Sequence, residues 1–141
     1  MAKNKNQLKP KLPDSGKRLA SPAPAFDPDV LPPKFCLRGM RSGYSVEDCA
    51  KDERAAFASR LYELSRSSWK ELRQMPRHGQ GWERLPHHAI QGDKVPAEIT
   101  ADVDLIAFRF CGMAPMVGYR SKDGVYNIIW LDRAFKLYKH S

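Results

Sequence analysis

The chain has no apolar run near the ~20 residues that a membrane-spanning helix requires, and its opening Met1-Ala2-Lys3-Asn4-Lys5 lacks the apolar stretch of a secretory signal. The expectation is a soluble, cytoplasmic protein without a membrane partner. Cysteine is scarce: Cys36, Cys49 and Cys111 form no C-x-x-C pair, which implies neither a disulfide framework nor a zinc ribbon and fits a reducing compartment. Acidic residues are in deficit, 16 against 24 Lys and Arg, so the formal charge is +8 and the isoelectric point near 9.6. That balance favours a polyanionic partner, nucleic acid first and an acidic protein surface second. The residues that are present, 141 in all, of which 42% are hydrophobic and 28% charged, suit one domain around one core.

Proline is unevenly spread. Residues 1–34 hold seven of the eleven prolines and seven of the 24 basic residues, with few large apolar side chains. Such a segment buries too little surface to offset its ordering entropy, so residues 1–33 read as a disordered basic tail and residues 34–141 as a single α+β domain. The tail is either a solubilising leader or an arm that docks on a partner. Phe35-Cys36-Leu37-Arg38, after two prolines, is a plausible first strand. Ser45-Val46-Glu47-Asp48 has the form of a helix start, and Phe57, Leu61 and Leu64 then recur at helical spacing through about Ser65. Ser68-Trp69-Lys70-Glu71 is a second capping box, and Pro76 ends the helix it opens. A helical hairpin therefore succeeds the strand.

Residues 77–104 show no periodicity and make a connection of about 28 residues, longer than compact domains tolerate without a purpose. A short strand within Leu85 to Ile90 is the one element expected there. Leu105 to Phe110, Met116 to Arg120 and Val125 to Leu131 read as a three-stranded antiparallel meander, the last two joined by Asp123-Gly124 as a type I′ turn. Phe135 to Tyr138 would close the sheet as an edge strand or turn. With two-residue turns at Asp123-Gly124 and Gly112-Met113, Tyr119 pairs with Ile128, Val117 with Trp130 and Met116 with Leu131, while Phe108 faces Val117 and Ile106 faces Tyr119. Val117, Tyr119, Tyr126, Ile128 and Trp130 then share the face under the helices. Arg109, Arg120 and Asn127 share the other, open face, with Lys136, Lys139 and His140 near its closing strand. That cluster reads as a phosphate-binding surface or as ordinary solvated arginines.

The long connection contributes His78, His87 and His88 among Arg73, Arg77 and Arg84, a group able to contact RNA or move protons. Adjacent histidines point to opposite sides of an extended chain, so no metal site or cofactor is expected. Trp82 either stacks on a base or covers the core edge, and Gly79-x-Gly81 follows no strand and opens no helix, so it is no phosphate loop. Cys36 and Cys111 read as packing residues, and the serines at the helix junction as caps.

The order of strand, helix hairpin and meander, and the ending Met116-Val-Gly-Tyr-Arg through Val125-Tyr-Asn-Ile-Ile-Trp-Leu-Asp-Arg-Ala-Phe-Lys-Leu-Tyr-Lys-His140, resemble the RelE/ParE-like superfamily of small prokaryotic toxins and similar endings of small bacterial and phage proteins. The resemblance covers residues 34–140 in layout and about 25 residues in motif. It implies a RelE-like two-layer fold and a toxin-antitoxin protein: in one branch a ribosome-associated mRNA endonuclease, in the other a gyrase-directed protein. RNA or the ribosome, and an acidic antitoxin, are the partners it implies. RNA cleavage without a metal needs a base, an acid and fixed positive charge on the phosphate. Tyr138 or His140 would carry protons, and Arg109, Arg120 and Lys136 would hold charge. Arg73, Arg77, Arg84, His87, His88, Asn127 and Lys139 would contact the nucleic acid. The competing class is a non-enzymatic phage or mobile-element inhibitor that occupies an acidic partner surface. An accessory nucleic-acid binder without target specificity is the third reading.

Overall fold

The computed structural model describes residues 26–76 and 81–140. Its elements are β1 (Lys34–Cys36), α1 (Lys51–Leu64), α2 (Trp69–Gln74), β2 (Glu83–Leu85), β3 (Leu105–Cys111), β4 (Ala114–Arg120) and β5 (Val125–Leu131), with 3-10 turns at Pro28–Val30, Val46–Asp48 and His87–Ala89. The strands form one mixed sheet in the order β1-β5-β4-β3-β2, in which β1 runs parallel to β5 and the other neighbours are antiparallel. The fold is α+β. The helix pair and the meander stand where expected, and β1 and β2 extend the meander to five strands, β2 lying at Glu83–Leu85 rather than within Leu85 to Ile90, where His87–Ala89 forms a 3-10 turn.

The helix starts reflect local chemistry. Ser68 Oγ accepts from Glu71 N–H at 3.1 Å while the Glu71 carboxylate accepts from Ser68 N–H at 2.8 Å, a reciprocal cap that opens α2. The same device at Ser45 and Asp48 caps a 3-10 turn instead, and α1 begins later, at Lys51, with Glu53 accepting from Ala50 N–H. Phe57 and Leu64 of α1 and Trp69 and Leu72 of α2 are buried against Ile106, Phe108, Met116, Tyr126 and Ile128 of the sheet. Rings of Trp69, Trp82, Phe108 and Tyr126 meet edge-on or tilted at 5.2–6.4 Å. Their polar atoms are satisfied: Trp69 Nε1 donates to the Gly124 carbonyl, and the Tyr126 hydroxyl, its pKa pushed well up by burial, donates to the Ile106 carbonyl.

The register corrects the expected faces. Gly112 and Met113 do form a two-residue turn, with φ of +57° at Gly112 as a type II′ turn requires, but Phe110 bulges out of β3. The second hairpin closes through three residues, Lys122, Asp123 and Gly124, rather than the type I′ pair; Gly124 takes φ of +86°, which suits glycine, and Gly124 N–H donates to the Ser121 carbonyl. Met116 faces Leu131 and Val117 faces Trp130 as expected, and then Ile129 bulges, so that Gly118 faces Ile128 and Tyr119 faces Asn127. Each one-residue slip moves the succeeding side chains to the opposite face. Phe108 therefore faces Met116, and Ile106 faces Gly118. Tyr126 and Ile128 stay under the helices, whereas Val117, Tyr119 and Trp130 belong to the other side.

That other side is not open. Residues 86–104 and 132–140 cross it and, with Leu85 at the end of β2, bury Ile99, Leu137 and Tyr138 against Leu105, Ala107, Val117, Ile129 and Trp130. These covering segments have little regular structure, so side chains pin them. Asp93 accepts from the Trp130 indole at 2.9 Å and from two nitrogens of Arg41 at 2.9 and 3.3 Å, and the Tyr44 hydroxyl donates to the Gly92 carbonyl. Arg41 above all, with the indole adding to it, lowers the Asp93 carboxyl to about 2 despite its burial. Gln91 and Gly92 N–H donate to the Leu137 carbonyl, and Ile90 bridges Tyr138, which makes the expected closing segment a turn rather than a strand.

The N-terminal boundary also lies earlier than residue 34. Asp29 is bound to Arg73 and Arg120, Trp69 N–H donates to the Leu31 carbonyl, and Pro33 is buried, so residues 28–33 are tied to α2 and β4. Residues 1–25 of the expected tail lie outside the described residues. Among the described residues, no helix is long and apolar enough to cross a membrane.

Candidate functional site

Asp132, directly after β5, has 1% of its surface exposed. Its carboxylate accepts from Lys136 N–H at 2.9 Å and Leu137 N–H at 3.0 Å, which closes a turn and sends residues 138–140 back along the sheet. His140 Nε2 lies 3.4 Å from the Asp132 Oδ2 atom, a long contact that sets the imidazole beside a buried negative charge. The imidazole is flanked by rings: Tyr138 at a centroid distance of 4.1 Å and Phe135 at 5.3 Å, nearly perpendicular. A carboxylate behind a histidine, with aromatic walls, restrains ring orientation in the way proton-transfer chemistry requires.

In front of that imidazole is a cleft of about 150 Å³ whose lining includes Glu83, Arg109, Met113, Phe135, Tyr138, Lys139 and His140. Arg109 stands near the end of β3, one residue before the bulge at Phe110. Its Nη1 touches the Met113 sulfur at 3.7 Å, and its Nε is buried without a hydrogen-bond partner. A buried guanidinium donor left unpaired costs on the order of 1–3 kcal/mol. Arg109, Lys139 and His140 supply positive or protonatable groups; Glu83 supplies a carboxylate on the same cleft.

The structure thus gathers Arg109, Tyr138, Lys139 and His140 of the expected site residues. It separates the others. Arg120 is displaced to the helix side by the bulge at Ile129, where it binds Asp29 at 2.6 Å and lies 4.9 Å above the Trp69 ring. Arg73 shares Asp29 at 3.0 Å and lies over Trp82. Burial pushes the Asp29 carboxyl up, but hydrogen bonds and charge from Arg120 and Arg73 outweigh it and hold it below its usual range. Lys136 is exposed outside the cleft; its contribution to the turn is its backbone N–H. Arg84 is exposed and 3.6 Å from Asp104, His87 Nε2 sits 2.6 Å from the Val103 carbonyl, and His88 lies outside the cleft. Asn127 is half-buried and donates to the Tyr119 carbonyl. Arg77 lies outside the described residues. The single basic face expected to hold Arg109, Arg120 and Asn127 does not exist.

No family model, curated protein or solved structure matches this chain. The site therefore rests on its own geometry. Among the described residues, no group of three or more His, Cys, Asp or Glu could hold a metal ion. Sequence reasoning misses Glu83, Met113, Asp132 and Phe135. From sequence Asp132 is at most a turn cap, yet in the fold it caps the turn and backs His140 at once. The signal that could have found it is a carboxylate directly after a buried strand with a histidine eight residues on. Phe135 carries no such signal, because nothing local announces its backbone conformation.

Proposed function

We propose that the protein binds RNA in the cleft between β3 and the C-terminal segment and cleaves it by the acid-base chemistry of its own side chains. The observation that carries this reading is the convergence on one cleft of the Arg109 side chain and an imidazole backed by the buried Asp132. Arg109 and Lys139 would hold the phosphate and meet the charge that grows on it. Attack of the 2′-oxygen on phosphorus forms the O2′–P bond and breaks P–O5′, leaving a cyclic phosphate and a 5′-hydroxyl. One group takes the 2′-hydroxyl proton and another returns a proton to the departing 5′-oxygen; Glu83 and His140, both on the cleft, are suited to these transfers. Asp132 orients His140, and Tyr138 walls it.

The resemblance to RelE/ParE-like toxins supports the same reading. The implied order of strand, helix pair and antiparallel strands is this chain's order, with β2 added, and a C-terminal Tyr with basic neighbours is the arrangement the resemblance implies. Arg120 and Lys136 have no part in it.

Induced expression in a bacterial host, with growth followed and new RNA 5′ ends mapped, tests the proposal. Wild type should arrest growth and create new ends, and Arg109→Ala and His140→Ala should abolish both. Arrest without new ends would replace catalysis by stoichiometric inhibition, and no arrest would remove the toxin reading.

A further inference from the structure

Phe135 is the only non-glycine among the described residues with positive φ, at +57°. Bulky side chains avoid that conformation, and glycine or asparagine is the usual occupant. The turn itself is secured without the ring: Phe135 N–H donates to the Asp132 carbonyl, and the Asp132 carboxylate takes the next two N–H groups. Core packing does not explain the ring either, since Phe135 is 46% exposed. A costly backbone thus presents an aromatic face to solvent, at the rim of the cleft that holds Arg109 and His140. Met113, 60% exposed, lines the same cleft and touches Arg109. The rings of Phe135 and His140 meet nearly perpendicular at 5.3 Å, so they are not stacked face to face.

We infer that Phe135 is a stacking platform for one nucleobase of single-stranded RNA, the base adjoining the phosphate held by Arg109, with the Met113 thioether at the base's edge. The inference rests on the RNA reading of this cleft. Bases inside a duplex are already stacked on their neighbours, whereas an unpaired base can lie on a phenyl face. The strained turn serves to keep that face from folding into the core, and the substrate it selects is unpaired RNA.

The test is binding of full-length protein to a short 2′-O-methyl single-stranded RNA, which lacks the attacking hydroxyl, and to the same strand with abasic positions. Phe135→Ala and Phe135→Gly should each weaken the base-bearing strand about tenfold and leave the abasic strand unchanged, while Phe135→Trp retains binding. Glycine matters because it accepts the positive φ and preserves the turn without the ring. Equal weakening of both strands, or no change in either, would overturn the stacking role while leaving the RNA reading intact. If wild type binds neither strand, or binds both with no loss in Arg109→Ala, the RNA reading falls and the stacking role with it.

Discussion

The two faces of the sheet are both buried, but by different means. Under the helices, α1 and α2 satisfy their own backbone groups, so the interface needs only apolar packing and two hydrogen bonds from Trp69 and Tyr126. On the other face the cover is irregular chain, whose backbone groups need outside partners. Asp93 and Asp132 anchor much of it, one holding Trp130 and Arg41, the other holding the turn that leads to Tyr138 and His140. A regular cover seals its face. An irregular one leaves an end, and at that end lies Arg109 with a buried donor unpaired.

The largest loss of stability is expected on the helical side. Trp69→Ala removes a fully buried indole at the centre of the aromatic cluster and should cost about 3–5 kcal/mol, measured by urea unfolding. Asp132→Ala should cost less, about 2–3 kcal/mol, because it strands two backbone donors rather than emptying a core. It should also lower any RNA cleavage, through His140, further than Lys136→Ala does.

Acid should loosen the irregular face before the helical one. The folded-state carboxyl of Asp93 is lowered to about 2 from an ordinary value of 3.8, so its contribution is fully present above about pH 4 and is lost as pH falls towards 2. The loss should be on the order of 1–2 kcal/mol, and a stability-against-pH series on Asp93→Asn should lack that limb. Arg109→Met deletes an unsatisfied donor and should leave stability unchanged or raise it by up to about 1 kcal/mol while removing RNA binding. Phe135→Gly relieves positive φ and should raise the midpoint of thermal unfolding slightly, by roughly 0.5–1 kcal/mol in stability.

The same contrast explains what the sequence disclosed. α1, α2 and the three consecutive strands were legible because period and capping chemistry are local: Phe57 and Leu64 at helical spacing, Ser68 with Glu71, glycine at each hairpin. The bulges at Phe110 and Ile129 were not legible, since nothing in Arg109-Phe110-Cys111 or Ile128-Ile129-Trp130 distinguishes a bulge from a continuing strand. That single residue in each strand decided which face received Arg120, Val117 and Trp130. The cover over residues 86–104 reads as a bare connection in sequence because its order comes from long-range partners such as Arg41 with Asp93, 52 positions apart. Residue type alone named Arg109, Tyr138, Lys139 and His140, which share one cleft, but it named Arg120 and Lys136 with them, and they do not. Asp132 and Phe135 were not legible, because their roles depend on where a turn points.

The most direct measurement is an NMR titration of isotope-labelled protein with a short, uncleavable single-stranded RNA. Perturbations are expected at Arg109, Met113, Phe135 and residues 138–140, with the Arg73, Arg120 and Trp82 signals unmoved. Perturbations centred on Arg73, Arg120 and Trp82, or none at saturating RNA, would contradict RNA binding in this cleft.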